Sequence, residues 1–513
     1  MSSVDLKSSI VTSTAFNVSH KVANVLIKTL LAPLIIGYMG LDGFGVWNLL
    51  LSVTNYPRFG IGGISAAFQK YVSDATATGD YEKASRLLTT GTVMVVVMTL
   101  LVSLPFLVFT EDILRFLNVP AEYSVTFSMA FRFLIIVIII SNIAAAYDAV
   151  IAGAHRLDVT KKIAIVWLIV ESILVVALLL KGYRLWALAL PYGVCEVGRV
   201  LSSVYFARKI LPEVVLAPRY VSTGVLRELV AFAGSFQLVG ALEMLYLTLV
   251  PALVMRYSGA SISGLYAAAT RLITLASIAG EALLLPLLSG SAYVLTRGER
   301  SRYEALFANS FNFLLFTALP LMLFVSFYGD QILWAWTGQK SDLFMSSMFL
   351  LSGAGISSLL ARHHMIIYRS SGKRVYDILW IVIRFGCFVG FGTALARLHG
   401  YAGLLSGQLI GEVLGLVFMA HVMKRLFAVN YGGIVRRWFG PVLMIVGSIA
   451  VLWYVTAFVL PVPTGRMETL VLLVGSFAVY MLFVCTCLWF GLSGEERGEI
   501  RSLLPSERFK RMR

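Results

Sequence analysis

Charge is what this 513-residue chain has least of: Asp, Glu, Lys and Arg together make 13%, against 58% hydrophobic residues and a mean hydropathy of +0.84. A soluble domain of this length needs far more polar surface, which excludes a globular water-soluble enzyme. Cysteine is almost absent too. Cys195, Cys387, Cys485 and Cys487 all fall inside apolar runs, where a free thiol behaves as a small apolar side chain. Neither a disulfide framework nor a metal or other cofactor site is implied. Long polar stretches are missing as well: no segment between apolar runs exceeds about two dozen residues, which leaves no place for a soluble catalytic domain. The start, MSSVDLKSS, lacks a basic segment followed by a cleavage site, so the first apolar run is expected to be retained.

What is present is a succession of apolar runs of membrane-spanning length, beginning near Ile10, Gly43, Leu87, Tyr123, Ile163, Leu185, Leu226, Ile262, Ala305, Phe344, Ile378, Ala402, Pro441 and Leu470. They predict an all-α polytopic membrane protein with 14 transmembrane helices. The net charge of +15 raises the question of nucleic acid, but the placement of the basic residues answers it. Alternate connections carry most of the 42 lysines and arginines, while the others hold only Arg115, Lys181, Arg184, Arg256, Lys340, Arg397 and Arg466. This bias puts both termini in the cytoplasm. The basic tail at 493–513 is expected to lie at the inner surface, beside anionic membrane lipid.

The chain also repeats itself. At an offset of 219 positions Gly40 meets Gly259, Gly45 meets Gly264, Gly79 meets Gly298 and Gly153 meets Gly372, and Tyr38/Tyr257, Ile113/Ile332 and Asp158/Asp377 follow. Glycines at equivalent turns are harder to match by chance than leucines, so the sequence predicts a duplication with both halves in the same orientation. The expected bodies are a six-helix bundle at 1–210, a cytoplasmic linker at 211–224, a second six-helix bundle at 225–424, two further helices within 425–492 and the tail. Pro33 and Pro251 are expected to bend equivalent helices without ending them.

Within the first span, AFNVSHKVANVLIKTLLAP, the residues Asn17, His20, Lys21, Asn24 and Lys28 recur at three- and four-residue steps and read as one polar face. A charge at mid-membrane costs roughly 2.5–3.5 kcal/mol, so such residues are functional by default, although lysines near span ends also snorkel. Arg58, in TNYPRFGIGG, lies where Pro57 loosens the backbone; it either reaches a gap between helices or satisfies freed carbonyls. Arg271 lies nearer a span end. Glu243 occupies the position that Asn24 holds in the first half and is the candidate for coupling to H+ or Na+, with an ion pair to Lys21 or Lys28 as the structural alternative. Glu281, Glu171 and Asp148 are secondary candidates. Glu196 and Arg199 are expected to neutralise each other one turn apart, and Arg384 to pair with an acid such as Glu412. His363 and His364 point about 100 degrees apart, which makes them poor joint metal ligands.

The phrases GYMGLDGFGVWNLLLSV and GDYEKASRLL, with their echoes RYSGASISGLYAAATRL and GERSRYEALF, resemble the polysaccharide transporter family. These are lipid-linked oligosaccharide (O-antigen type) flippases of the multidrug/oligosaccharidyl-lipid/polysaccharide exporter superfamily. The resemblance covers nearly the whole chain. It implies alternating-access export of an undecaprenyl-diphosphate-linked repeat unit from the inner to the outer leaflet of the bacterial inner membrane. It also implies a polysaccharide polymerase and a chain-length regulator as partners. Lipid II flippases of the same superfamily place basic residues on helices 1, 2 and 8, and by that likeness Lys21 or Lys28, Arg58 and Arg271 would meet the diphosphate, beside Asn17, His20 and Asn24. The rival expectations are a cation-coupled multidrug exporter of the same superfamily and a membrane-embedded glycosyltransferase or polymerase. The first calls for carboxylates on the first span, which offers lysine. The second calls for a large external loop or an acidic metal motif, and neither is found.

Overall fold

In the computed structural model, residues 3–61, 71–76, 78–154, 156–282, 284, 287, 291, 294, 300–369, 375–461 and 463–491 are described. For 3–15, 17, 18, 59–61, 232–237, 279, 300, 301, 490 and 491 this holds for the backbone alone, so the Asn17 side chain, like the tail at 493–513, lies outside the described residues. Every element that is described is helical: α1 (Ser3–Thr54), α2 (Tyr81–Val108), α3 (Thr110–Leu117), α4 (Ala121–Gly153), α5 (Leu157–Leu180), α6 (Trp186–Ile210), α7 (Thr223–Ala282), α8 (Arg300–Phe327), α9 (Gly329–Thr337), α10 (Phe344–Arg369), α11 (Val375–Cys387), α12 (Thr393–Phe427), α13 (Tyr431–Tyr454) and α14 (Arg466–Gly491), with short 3-10 and π turns between them. Ten helical stretches among the described residues are long and apolar enough to cross a membrane. Their outer faces expose Leu30, Val471 and Leu482, each at least 70% accessible, as an apolar solvent requires.

α1, α7 and α12 each contain a break in place of a loop. In α1 it is Gly40 (φ 71°, ψ 176°) and in α7 Gly259 (φ 81°, ψ 179°), a backbone region open essentially to glycine alone. In α12 it is Gly400 (φ 53°, ψ −127°). Ten stretches thus stand beside the 14 crossings expected from the sequence; α1, α7 and the α11–α12 stretch are each one of the ten, and α6 is not among them.

Gly40 and Gly259 stand 219 positions apart, so the sequence repeat marks the same backbone device twice. Just beyond each break the second arms meet. A Cβ on Gly45 would collide with the Ala260 carbonyl, and one on Gly264 with the Leu41 carbonyl. The pairs 41/260 and 45/264 keep the offset, so the contact is reciprocal, and it needs glycine on both sides for the backbones to come this close. α2 and α8 likewise begin and end at equivalent positions, as do the starts of α3 and α9. Asp80 starts α2 by accepting the Lys83 N–H at 2.9 Å, an ordinary side-chain cap.

The described chain forms two compact units. One runs to Leu275 and includes Asp377–Gly411; the other holds Ala276–Tyr376 and the chain from Glu412 onward. The first is built on Leu87, Leu88, Tyr147, Ile151, Ile163 and Leu229, which lock α2, α4, α5 and the start of α7 together. In the second, Phe324, Tyr328, Ile445, Ile449 and Tyr480 join α8 to α13 and α14. Tyr328 Oη lies 3.0 Å from Thr456 Oγ1 in this core, so the two C-terminal helices are packed parts of their unit.

Candidate functional site

Within the first unit a cavity of about 580 Å3 opens between α1, α4, α5, α6 and the 3-10 turn Tyr56–Ile61 that follows α1. α1 contributes His20, Asn24 and Lys28, spaced four residues apart and therefore stacked on one face. The turn supplies Arg58, α4 Asp148, α5 Lys161, Trp167 and Glu171, and α6 Tyr192, Cys195, Glu196 and Arg199.

Most of these charges form one chain. Arg58 Nη2 donates to Tyr192 Oη and to Glu196 Oε1, both at 2.9 Å. The other Glu196 oxygen accepts from Arg199 Nη2 at 3.0 Å. Arg199 Nη1 reaches Asp148 Oδ2 at 3.2 Å, and Asp148 Oδ1 accepts from Ser203 Oγ at 2.6 Å. Neither arginine is dry: the side chains of Arg58 and Arg199 keep 26% and 21% of their accessibility. Charge-assisted hydrogen bonds in such a partly wet cleft are strong enough to fix the guanidinium planes. Lys28 is different. It has no ion-pair partner among the described residues, and Glu171 is its main counter-charge across the cavity. Four cations (Lys28, Arg58, Lys161, Arg199) thus face three carboxylates (Asp148, Glu171, Glu196), with His20 beside them.

The remaining expected residues lie elsewhere. Lys21 is exposed and does not line the cavity, because one step from His20 turns it about 100 degrees around the helix. Arg271 sits behind the site: its guanidinium donates to the Lys28 carbonyl and to Asn48 Oδ1 and lies 4.7 Å over the Phe44 ring. It braces the two arms of α1 against α7. Glu243 forms an ion pair, with Arg384 at 3.0 Å and not with Lys21 or Lys28. Arg384 is in turn enclosed by the rings of Tyr246 and Trp380, at 4.2 and 4.5 Å, a setting that holds a cation with little water. Glu196 and Arg199 do pair, but Glu196 also serves Arg58. In the second unit Glu281 binds Arg362 at 2.8 Å. His363 Nε2 meets Ser310 Oγ, while His364 Nδ1 meets the Leu360 carbonyl. Among the described residues no group of His, Cys, Asp and Glu is arranged to hold a metal ion. Lys161 escaped the sequence reading because it sits in a lysine doublet that reads as an interfacial anchor. Lys162 is that anchor, bound to Asp158 at 3.1 Å, and only the spacing of Lys161, Ala164, Leu168 and Glu171 separates the two.

Residues 21–178, which contribute most of the cavity, match the MatE family. The uncharacterized membrane protein EpsK of Bacillus subtilis (strain 168) is 27% identical over 272 residues, a stretch that spans 52% of this chain and 53% of that protein. Among solved structures, the lipid II flippase MurJ in an inward closed conformation superposes with a TM-score of 0.67 at 13% identity, covering 92% of this chain and 98% of its own. An inward-facing multidrug resistance MATE family transporter of the MOP superfamily gives 0.63 at 13% identity, over 81% and 94%. With its apolar helices and broken spans, the chain is a multi-pass membrane protein with a MATE-like fold.

Proposed function

We propose that this protein is a flippase that carries an undecaprenyl-diphosphate-linked oligosaccharide repeat unit from the inner to the outer leaflet of the bacterial inner membrane, for assembly of a cell-surface polysaccharide. The observation that carries this reading is Lys28: a cation in a spanning helix, facing a polar cavity, with no ion pair to neutralise it. An ammonium left in that state is costly unless water or an anionic ligand compensates it, and a diphosphate is such a ligand. Arg58, held in a fixed plane by Tyr192 and Glu196, adds a donor suited to phosphate oxygens. In this mechanism the halves at 1–210 and 225–424 rock in alternation, the sugars stay in water and the prenyl chain trails through lipid, which avoids dragging hydroxyls through hydrocarbon. An inside-negative potential favours the outward movement of negative charge by about 2.3 kcal/mol per charge at 100 mV.

Export of cationic drugs is the second reading, favoured by the three carboxylates in the cavity. Asp148 and Glu196 are already held by arginines, which leaves Glu171 alone to meet a cation. The same logic applies to coupling by H+ or Na+: Glu243 is committed to Arg384, whereas Glu171 has no ion-pair partner among the described residues. Inverted vesicles containing the protein test the choice, loaded in parallel with labelled lipid-linked oligosaccharide and with a fluorescent organic cation. The flippase reading requires movement of the glycolipid that weakens in Lys28→Ala. Accumulation of the cation alone replaces it with the drug reading.

A further inference from the structure

A second polar cavity, of about 320 Å3, lies in the second unit between α9, the 338–343 connection, the turn before α14 and the end of the α13 stretch. It is small for a ligand pocket, at the low end of the usual 300–1,000 Å3. Its walls are tied down. Arg466 Nη2, at the start of α14, donates to the Ala335 and Trp336 carbonyls at 3.2 and 3.1 Å and so closes the C-terminal end of α9. Glu468 accepts the Thr464 and Gly465 N–H groups at 2.9 and 3.2 Å, which orders the turn.

Inside, Trp334 presents an indole ring next to Gln331, Asp330, Asp342 and Lys340. Asp330 spends one oxygen on the Met345 N–H at 3.0 Å. Its other oxygen, the Gln331 amide and the Asp342 carboxylate have no hydrogen-bond partner among the described residues. Burial, and secondarily the like charge of Asp342, raise the Asp330 carboxyl above the ordinary carboxylate range. At the equivalent positions of the first half the composition differs: Glu111, in the place of Asp330, serves Ser128 and Arg132, Asp112 stands where Gln331 does, and Arg115 where Trp334 does.

The pocket's charges argue against a charged ligand. The Lys340 ammonium, exposed and 4.8 Å from the indole, repels an organic cation, and the two carboxylates repel an anion. An aromatic ring beside solvent-facing acceptors, an amide and one ammonium suits a neutral molecule with many hydroxyls. We infer that this pocket binds one or two rings of a neutral saccharide. The connections that form it carry few basic residues, the pattern of the side facing away from the cytoplasm. That the saccharide is part of the delivered glycolipid rests on the flippase reading; that the pocket binds sugar does not.

Saturation-transfer NMR on the full-length protein in lipid nanodiscs tests this with glucose, galactose, mannose, N-acetylglucosamine and their disaccharides as probes, and with glucosamine, glucuronate and choline as charged comparators. The expected result is binding of at least one neutral sugar, weakened at least tenfold by Trp334→Ala, weakened less by Gln331→Ala, and kept by Trp334→Phe and by Lys28→Ala. Lack of binding by every neutral sugar, preference for choline, or binding unaltered in Trp334→Ala each overturns the inference. Sugar binding by a protein that moves no glycolipid in vesicles leaves this site standing and removes the flippase reading.

Discussion

The two halves of this chain share their backbone devices and almost none of their chemistry. Gly40 and Gly259 break their helices at nearly the same dihedral angles, and Gly45 and Gly264 make reciprocal contacts. Carry the cavity residues across by the same offset, however, and Lys28 becomes Leu247, Arg58 Ser277 and Asp148 Ile367. The duplication preserved what geometry demands and released what only one site needs. Among the described residues the first half thereby holds an ionic site whose counterpart positions are uncharged, and the difference between the halves is a better guide to function than their likeness.

The largest effect should come from breaking the ionic site itself. Glu196→Ala leaves Arg58 and Arg199 without their shared carboxylate, and hydrogen bonds to charged groups are worth about 1.5–3 kcal/mol each. Thermal unfolding in detergent should show a large drop, whereas Leu247→Ala, at the exposed second-half counterpart of Lys28, should show a much smaller one. The glycines sharpen the comparison from the other side. Gly40→Ala and Gly259→Ala should each destabilise by about 2 kcal/mol, since alanine is strained in that backbone region. Near-equal losses support a shared device; a loss in one half alone breaks it. The smallest effect concerns the appended helices: Thr456→Val removes the hydroxyl that meets Tyr328 and should cost about 1 kcal/mol in the same scan.

How much of this was legible in the sequence follows from range. Local signals were readable: repeated glycines located both helix breaks, and four-residue spacing put His20, Asn24 and Lys28 on one face. Lys21 was read onto that face because helical periodicity resolves neighbours poorly when several polar residues crowd two turns. Long-range pairing was not readable. Arg58 meets Glu196 138 positions away, and Glu243 meets Arg384 141 positions away, and nothing local to either residue names its partner. Arg271 shows the same limit: it reads as a cation nearer a span end, given a place at the diphosphate only by the likeness to lipid II flippases, and nothing local shows that it braces the carbonyl of the residue that faces the cavity. The cap that Arg466 provides to α9 was hidden too, because in the first half Arg256, from α7, donates to the equivalent Phe116 carbonyl and the residue one offset before Arg256 is Gly37.

The central claim, that an uncompensated cation on the cavity face of the first helix receives the anionic lipid carrier, is tested most directly by comparing Lys28→Ala with Lys21→Ala in vesicles, following the movement of labelled undecaprenyl-diphosphate-linked oligosaccharide across the bilayer. The account predicts that Lys28→Ala loses at least tenfold in rate while Lys21→Ala stays close to the unsubstituted protein. Equal rates in the two variants, or a loss confined to Lys21→Ala, would contradict it.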